Sequence, residues 1–233
     1  MTLTNEEPQR AASAPQSDRF ASRQARRRQL INSAIDSIAK RGFSDTTLDT
    51  VARGAGLSHG TINFHFKSKE LLFIETLTYL AEEHYEHWRT AISKAGPSPQ
   101  EQMIALIETD FAPAICNPRK LAVWFAFWGE AQSRPAYLEI CGKNDRHRLT
   151  ELTRLCKQLK QDGGYSHLDP NMIAKSMEAF IDGLWLNVLL YPDVFRREEA
   201  RRDCLTFLAG IFPCHFPLPE TPRDCDACKS EQP

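Results

Sequence analysis

Leu30, Ile31, Ala34, Ile35, Ile38 and Ala39 recur with the step that sets one apolar face on an α-helix, and Gly42 stands where that helix should end. Similar faces run over residues 71–88, 103–115, 121–131, 149–159, 173–190 and 204–212. No stretch alternates convincingly as a half-buried strand would, and no Asn-Gly or Asp-Gly pair joins two β-branched runs. The pattern predicts an all-α fold of about nine helices with no internal repeat.

Proline marks the joints. Seven prolines between positions 97 and 192 fall mostly between the periodic stretches, where a missing N–H and a fixed φ do least harm. The other seven lie at the two ends among Ser, Gln and Asp, residues that bury little apolar surface. Four segments are therefore expected: a disordered basic and polar arm over 1–22, a small domain over 23–70, a larger helical domain over 71–213, and a disordered Pro- and Cys-containing tail over 214–233.

The small domain carries the first chemistry. In residues 46–72, TTLDTVARGAGLSHGTINFHFKSKELL, Ala52 is a small residue for the close approach of two crossing helices and Gly56 a flexible one for the turn between them. Ser58 stands at an N-cap position and starts a second helix of about one and a half turns. On it Ile62 and Phe66 point inward, leaving His59, Thr61, Asn63 and His65 outward. Short polar side chains on a short helix suit the major groove, where base edges are read by hydrogen bonds. Thr47, Lys69 and the run Arg26, Arg27, Arg28 supply helix starts and cations for phosphates. Spacing alone also fits an ordinary helical hairpin.

Charge is segregated in the same way. The whole chain has 29 Lys and Arg against 30 Asp and Glu, a net charge of −1. Residues 10–69 nevertheless hold eleven basic and four acidic residues, a charge of +7 that leaves −8 for the remainder. Near-neutrality overall therefore excludes nothing about nucleic acid, because binding responds to the local field.

Residues 24–74, with their terminal HFKSKELL, resemble the DNA-binding domain of TetR-family one-component repressors. The resemblance implies a three-helix helix-turn-helix domain in an all-α homodimer, whose variable C-terminal domain binds a small molecule and resets the spacing of two recognition helices. The family often has Tyr near the position of Asn63, so Asn63 could read a base instead of bracing a phosphate.

Farther along, LAVWFAFWGEAQSRPAY, then NDRHRLTEL and AFIDGLWLN, resemble the C-terminal domain of choline-responsive, BetI-type repressors of the betaine pathway over about residues 103–190. Trp124 and Trp128 share a helix face, and Trp185 lies on a helix expected nearby. Aromatic walls with a buried carboxylate hold a quaternary ammonium by cation–π attraction. Asp110, Glu130 and Asp182 are the candidate counter-charges, with Phe111 and Phe127 as further wall residues. The alternative is plain core, the commoner fate of an aromatic stripe at helical spacing. Two other functions stay open here: a regulator answering a hydrophobic or acyl metabolite, and a DNA-binding protein that senses nothing.

The last two apolar faces hold more than one domain of this size should hide, which predicts a four-helix dimer interface through Met177, Phe180, Ile181, Leu184, Leu205, Leu208 and Ile211. Two recognition helices ~34–36 Å apart then read successive grooves of a palindromic operator. No cofactor is expected, and no GxSxG, HExxH, P-loop or GxGxxG points to an enzyme. Absence of a long apolar run and of a basic-then-apolar start predicts a cytoplasmic protein with reduced thiols. Cys214, Cys225, Cys228 and His215 could make a zinc site, but one CxxC in a Pro-rich tail is a weak signal. His84 and His87, with Glu83 and Glu86, read as a solvated face.

Overall fold

The computed structural model describes residues 16–130 and 135–217, which form nine α-helices and no strand. They are α1 (Gln16–Asp45), α2 (Leu48–Gly54), α3 (His59–His65), α4 (Lys69–Lys94), α5 (Pro99–Asp110), α6 (Pro118–Glu130), α7 (Pro135–Asp162), α8 (Pro170–Leu190) and α9 (Arg197–Ile211). Gly42 leaves helical geometry at φ 75° and kinks the end of α1. The start of α1 corrects one expectation: the helix already runs from Gln16, inside the segment assigned to a disordered arm.

Local sequence sets most helix ends. Thr47, Ser58, Ser68, Ser98 and Asp169 each cap a helix by accepting backbone N–H bonds that the first turn leaves open. Pro99 and Pro170 occupy first-turn positions where no N–H is needed. The exception is α5, which stops at Asp110 rather than continuing to Ile115. Pro113 cannot continue the N–H ladder, and residues 111–117 close instead by turn bonds such as Ala112 N–H to the Thr109 carbonyl.

Helices α1 to α3 and the first turn of α4 enclose Leu30, Ile35, Val51, Ile62 and Phe66. This core is continuous with that of α4 to α9, because α1 also lies along α6. At the junction Phe43 stacks on Phe73 of α4 at 4.8 Å and meets Phe127 of α6 edge-on at 4.7 Å. Ion pairs from Asp36 to Arg119 and from Glu83 to Lys120 anchor the start of α6 to α1 and α4. No helix among the described residues is long and apolar enough to cross a membrane.

The tightest approach of α1 to α2 is at Gly54, where a Cβ would stand 2.5 Å from Ser33 Oγ. That hydroxyl is already committed, donating to the Val51 carbonyl at 2.8 Å. Gly54→Ala should therefore cost about 1–3 kcal/mol by overpacking. Thermal unfolding checks it, and adding Ser33→Ala should recover part of the loss.

Candidate nucleic-acid interface and ligand cavity

The short helix α3 presents His59, Gly60, Asn63 and Phe64 to solvent. Thr61 and His65 are only half-exposed. Ser58 and Thr61 are tied to each other, Oγ to Oγ1 at 2.9 Å, with Ser58 Oγ also accepting the Thr61 N–H, so both serve the cap first. His59 leans toward Asp49 at 3.4 Å. Burial lowers the His65 pKa from its usual value, and the nearby Arg23, Arg27 and Arg26 charges lower it further. At neutral pH His65 is then an uncharged hydrogen-bonding group.

Phe64 was missed by the hydrophobic pattern, which assigns a large aromatic to the core. It is 61% exposed, with the Arg23 guanidinium 5.2 Å from its ring centre. The three consecutive arginines also have different tasks. Arg27 pairs with Glu75 at 2.6 Å, Arg28 donates to the Tyr79 hydroxyl at 2.9 Å, and Arg26 stays exposed without a partner among the described residues. Lys69 Nζ donates to the Ser44 carbonyl at 3.1 Å, and Thr47 caps α2 in a capping box with Thr50.

In the larger domain a cavity of about 390 Å³ opens between α4, α5, α6, α7 and α8. Trp88, Trp124, Trp128, Trp185 and Tyr85 form its aromatic walls, and Asp110, Asp145, Glu178 and Asp182 its acidic lining. Two of the acids are engaged. Asp110 is fully buried and accepts from Arg148 Nη2 at 2.6 Å and from the His84 Nε2–H at 3.0 Å; its carbonyl takes the Trp185 indole N–H at 3.0 Å. Glu178 accepts from Arg148 Nε at 2.8 Å. Burial would lower the Arg148 pKa, but these two carboxylates raise it, so the guanidinium stays charged. Its Nη1 is the one buried side-chain N or O without a partner among the described residues.

Asp145 and Asp182 have no hydrogen-bond or ion-pair partner among the described residues. Loss of hydration, with the Glu178 charge adding to it, pushes the half-buried Asp182 up to about 7, and the same causes raise the more exposed Asp145 less far. Four carboxylates thus face Arg148, Arg146 and His84, and the two without partners lie beside four indole rings. That arrangement favours a cation with an apolar body.

The sequence-based site needs several corrections. Phe111 and Phe127 do not line the cavity: Phe111 is buried after α5, and Phe127 packs on Phe43. Asp110 is at the cavity but is consumed by Arg148 and His84, so it holds helices together. The side chain of Glu130 lies outside the described residues. His84, read as part of a solvated face, turns inward, while His87 stays outside with its Nδ1 2.7 Å from the Glu83 carbonyl. Tyr85, Trp88, Asp145 and Glu178 were not foreseen. The spacing of His84 and Trp88 by four was the one available signal, since it puts both on one face.

The interface residues also divide. Met177, Ile181, Leu184 and Leu208 are buried inside a single chain, in the core α8 shares with α6, α7 and α9, and cannot face a partner. Phe180, whose ring lies tilted against that of Phe207 at 4.8 Å, Leu205 and Ile211 are half-buried. Exposed along α8 instead are Met172, Ser176, Ala179, Gly183, Leu186 and Leu190, spaced alternately by four and three.

Among the described residues no cluster of His, Cys, Asp and Glu could hold a metal. Cys225 and Cys228 lie outside those residues. The five described cysteines form no disulfide with one another, and burial pushes the Cys116, Cys156 and Cys204 thiols up to about 12, where thiolate chemistry is suppressed.

Residues 30–76 match the model of bacterial regulatory proteins of the tetR family, and residues 99–213 match that of the BetI-type transcriptional repressor C-terminal domain. The HTH-type transcriptional regulator BetI of Pseudomonas paraeruginosa is 32% identical over 192 residues, covering 78% of this chain and 91% of that protein. A putative transcriptional regulator from Pseudomonas aeruginosa PAO1 superposes with a TM-score of 0.71 at 26% identity, over 86% of this chain and 98% of its own. A putative regulator from Saccharomonospora viridis, solved in complex with choline, gives 0.70 at 20% identity, over 79% and 96%.

Removing one partner of a buried charge cluster leaves the others uncompensated, at a typical cost of about 3–5 kcal/mol. Asp110→Ala should lose about that much in urea unfolding, because Arg148 and His84 both lose their acceptor. Asp182→Ala, which breaks no described bond, should cost far less.

Proposed function

The chain belongs to the tetR family of bacterial regulators, with a BetI-type C-terminal half, and is therefore a transcriptional regulator and not an enzyme; from that premise we propose that it is a dimeric repressor released from a palindromic operator by a quaternary ammonium effector. The observation that carries the effector class is the cavity of four tryptophans with Asp145 and Asp182 left unpaired among the described residues. The choline complex of the Saccharomonospora viridis regulator, a protein of the same fold, supports it. Small domain 23–70 reads DNA, and domain 71–213 binds effector and partner. His59, Asn63 and Phe64 face the bases, with Ser58, Thr61 and His65 behind them, while Arg26, Thr47 and Lys69 meet or brace phosphate contacts.

Coupling runs through α6. Trp124 and Trp128 face the effector, and the neighbouring Phe127 contacts Phe43 at the kinked end of α1. A cation between the tryptophans and Asp182 favours one setting of α6, and α1 follows through Phe43 and the Asp36–Arg119 pair. A typical coupling between such sites is about 1–3 kcal/mol. The partner seam is the exposed face of α8, where Ser176, Ala179 and Gly183 allow close approach between Met172 and the leucines.

Fluorescence anisotropy of a duplex selected for binding from a random pool, titrated with choline at several pH values, tests the effector. Choline should lower DNA affinity, with wild-type apparent choline affinity rising about tenfold from about pH 6 to pH 8 as Asp182 ionises. The groups facing Asp182 are Glu178, Asp110 and Asp145, which oppose its ionisation, and Arg148, which favours it. Asp182→Asn should flatten the profile; operator binding indifferent to choline at every pH would exclude the effector.

The same raised pKa means that the folded protein without effector binds the Asp182 proton more tightly than the unfolded chain. Its contribution to stability falls as pH rises from about 4 through 7, so Asp182→Asn should raise the melting temperature at pH 8 and not at pH 4.

Leu186 and Leu190 are 37% and 55% exposed in one chain. Leu186→Glu with Leu190→Glu should halve the mass by light scattering and weaken operator binding while helical content stays unchanged. A double variant that keeps the dimer mass would place the seam elsewhere.

A further inference from the structure

A second groove, of about 450 Å³, lies on the other side of the Tyr85 and Trp88 side chains, between the C-terminal half of α4 and the middle of α7. Tyr85 and Trp88 line both spaces and are their common wall. Trp88 is buried, whereas Tyr85 is half-exposed, with its ring edge-on to Trp88 at 5.2 Å and 6.0 Å from the His147 ring. Ring contacts and the Arg89 guanidinium 5.8 Å from its centroid hold the Tyr85 ring, and its hydroxyl has no hydrogen bond among the described residues. No described hydrogen bond therefore fixes this part of the common wall.

The two chambers differ in charge. The inner one holds the two carboxylates that have no partner among the described residues. The outer one has a single carboxylate, Glu151, already taken by Arg154 at 2.8 Å, and Arg89 on its rim is itself paired with Glu86 at 3.3 Å, so no open carboxylate faces it among the described residues. A second cation is therefore disfavoured outside. Its floor of Tyr85, Trp88 and Ile92 is apolar and suits an uncharged chain. Size agrees, because about 390 Å³ equals roughly a dozen water-sized volumes at ~30 Å³ each, well beyond the four heavy atoms of a trimethylammonium head.

The geometry points to an effector longer than a bare head group: a trimethylammonium compound with its cation at Asp145 and Asp182 and an acyl or alkyl chain that passes Tyr85 into the outer groove. This rests on the cationic reading of the inner cavity and adds a chain-length preference to it. The outer groove then acts as a ruler, since each methylene buried there adds affinity in proportion to the apolar area removed from water.

Titration calorimetry on the full chain with tetramethylammonium, choline, acetylcholine, butyrylcholine and hexanoylcholine tests it. Affinity should rise about two- to fourfold per added methylene across the acyl series. Thr150→Trp, an exposed position on the rim, should fill the groove and abolish that rise while leaving tetramethylammonium affinity unchanged. Asp182→Asn should weaken every member by a similar factor, which separates this site from detergent-like adsorption.

Equal affinities along the series, or a rise that persists in Thr150→Trp, would overturn the two-chamber proposal and leave the cationic reading standing. Failure of every trimethylammonium compound to bind would overturn both.

Discussion

A fully buried carboxylate at the end of α5 is the constraint around which the larger domain is arranged. Desolvating Asp110 is expensive, and the chain offsets that cost only by bringing Arg148 from α7 and His84 from α4 to its two oxygens. Arg148 is itself buried and needs a second acid, which Glu178 of α8 supplies. The Trp185 indole then reaches the backbone carbonyl of Asp110. Four helices are thereby held to a common point. Apolar attraction alone has no direction and would draw the tryptophans together; directional bonds at one end keep them apart as the walls of a chamber.

Helix α6 takes no part in that network and is held differently. Its start is pinned by Asp36–Arg119 and Glu83–Lys120, and its middle lies between the cavity, through Trp124 and Trp128, and the kinked end of α1, through Phe127. A helix gripped by one exposed ion pair, one half-buried ion pair and aromatic contacts shifts at lower cost than one fixed by fully buried charge. In the proposed mechanism the frame around Asp110 holds while α6 yields, linking the cavity to α1 through Phe127 and Phe43.

Much of this was legible locally. Thr47, Ser58 and Ser98 act as caps because a cap needs only its own backbone within three residues, and the Trp124–Trp128 pair shares a face because the helix period requires it. Phe64 was not legible, since hydrophobicity gives no hint that α3 turns this ring toward Arg23 and solvent. His84 and His87 differ by three residues, yet one reaches Asp110 and the other bonds its own helix. What separates them is the direction from which α5 and α7 approach α4. The leucines and methionines of α8 misled in the same way, because a helix apolar on more than one side does not announce which side its own chain covers.

The sequence by itself determined the helical class, the order and capping of the elements, the basic segment ahead of residue 70, and the family of regulators to which the chain belongs, because each rests on patterns within a turn or two of helix. Tertiary structure alone decided which acids are spent on the frame and which face the cavity, that Tyr85 and Trp88 line both the cavity and the outer groove, and which face of α8 stays exposed. Those outcomes depend on how helices distant in sequence meet. A carboxylate's chemistry is set by the partners that reach it, and for Asp110 and Asp182 the difference is an arginine carried in on α7.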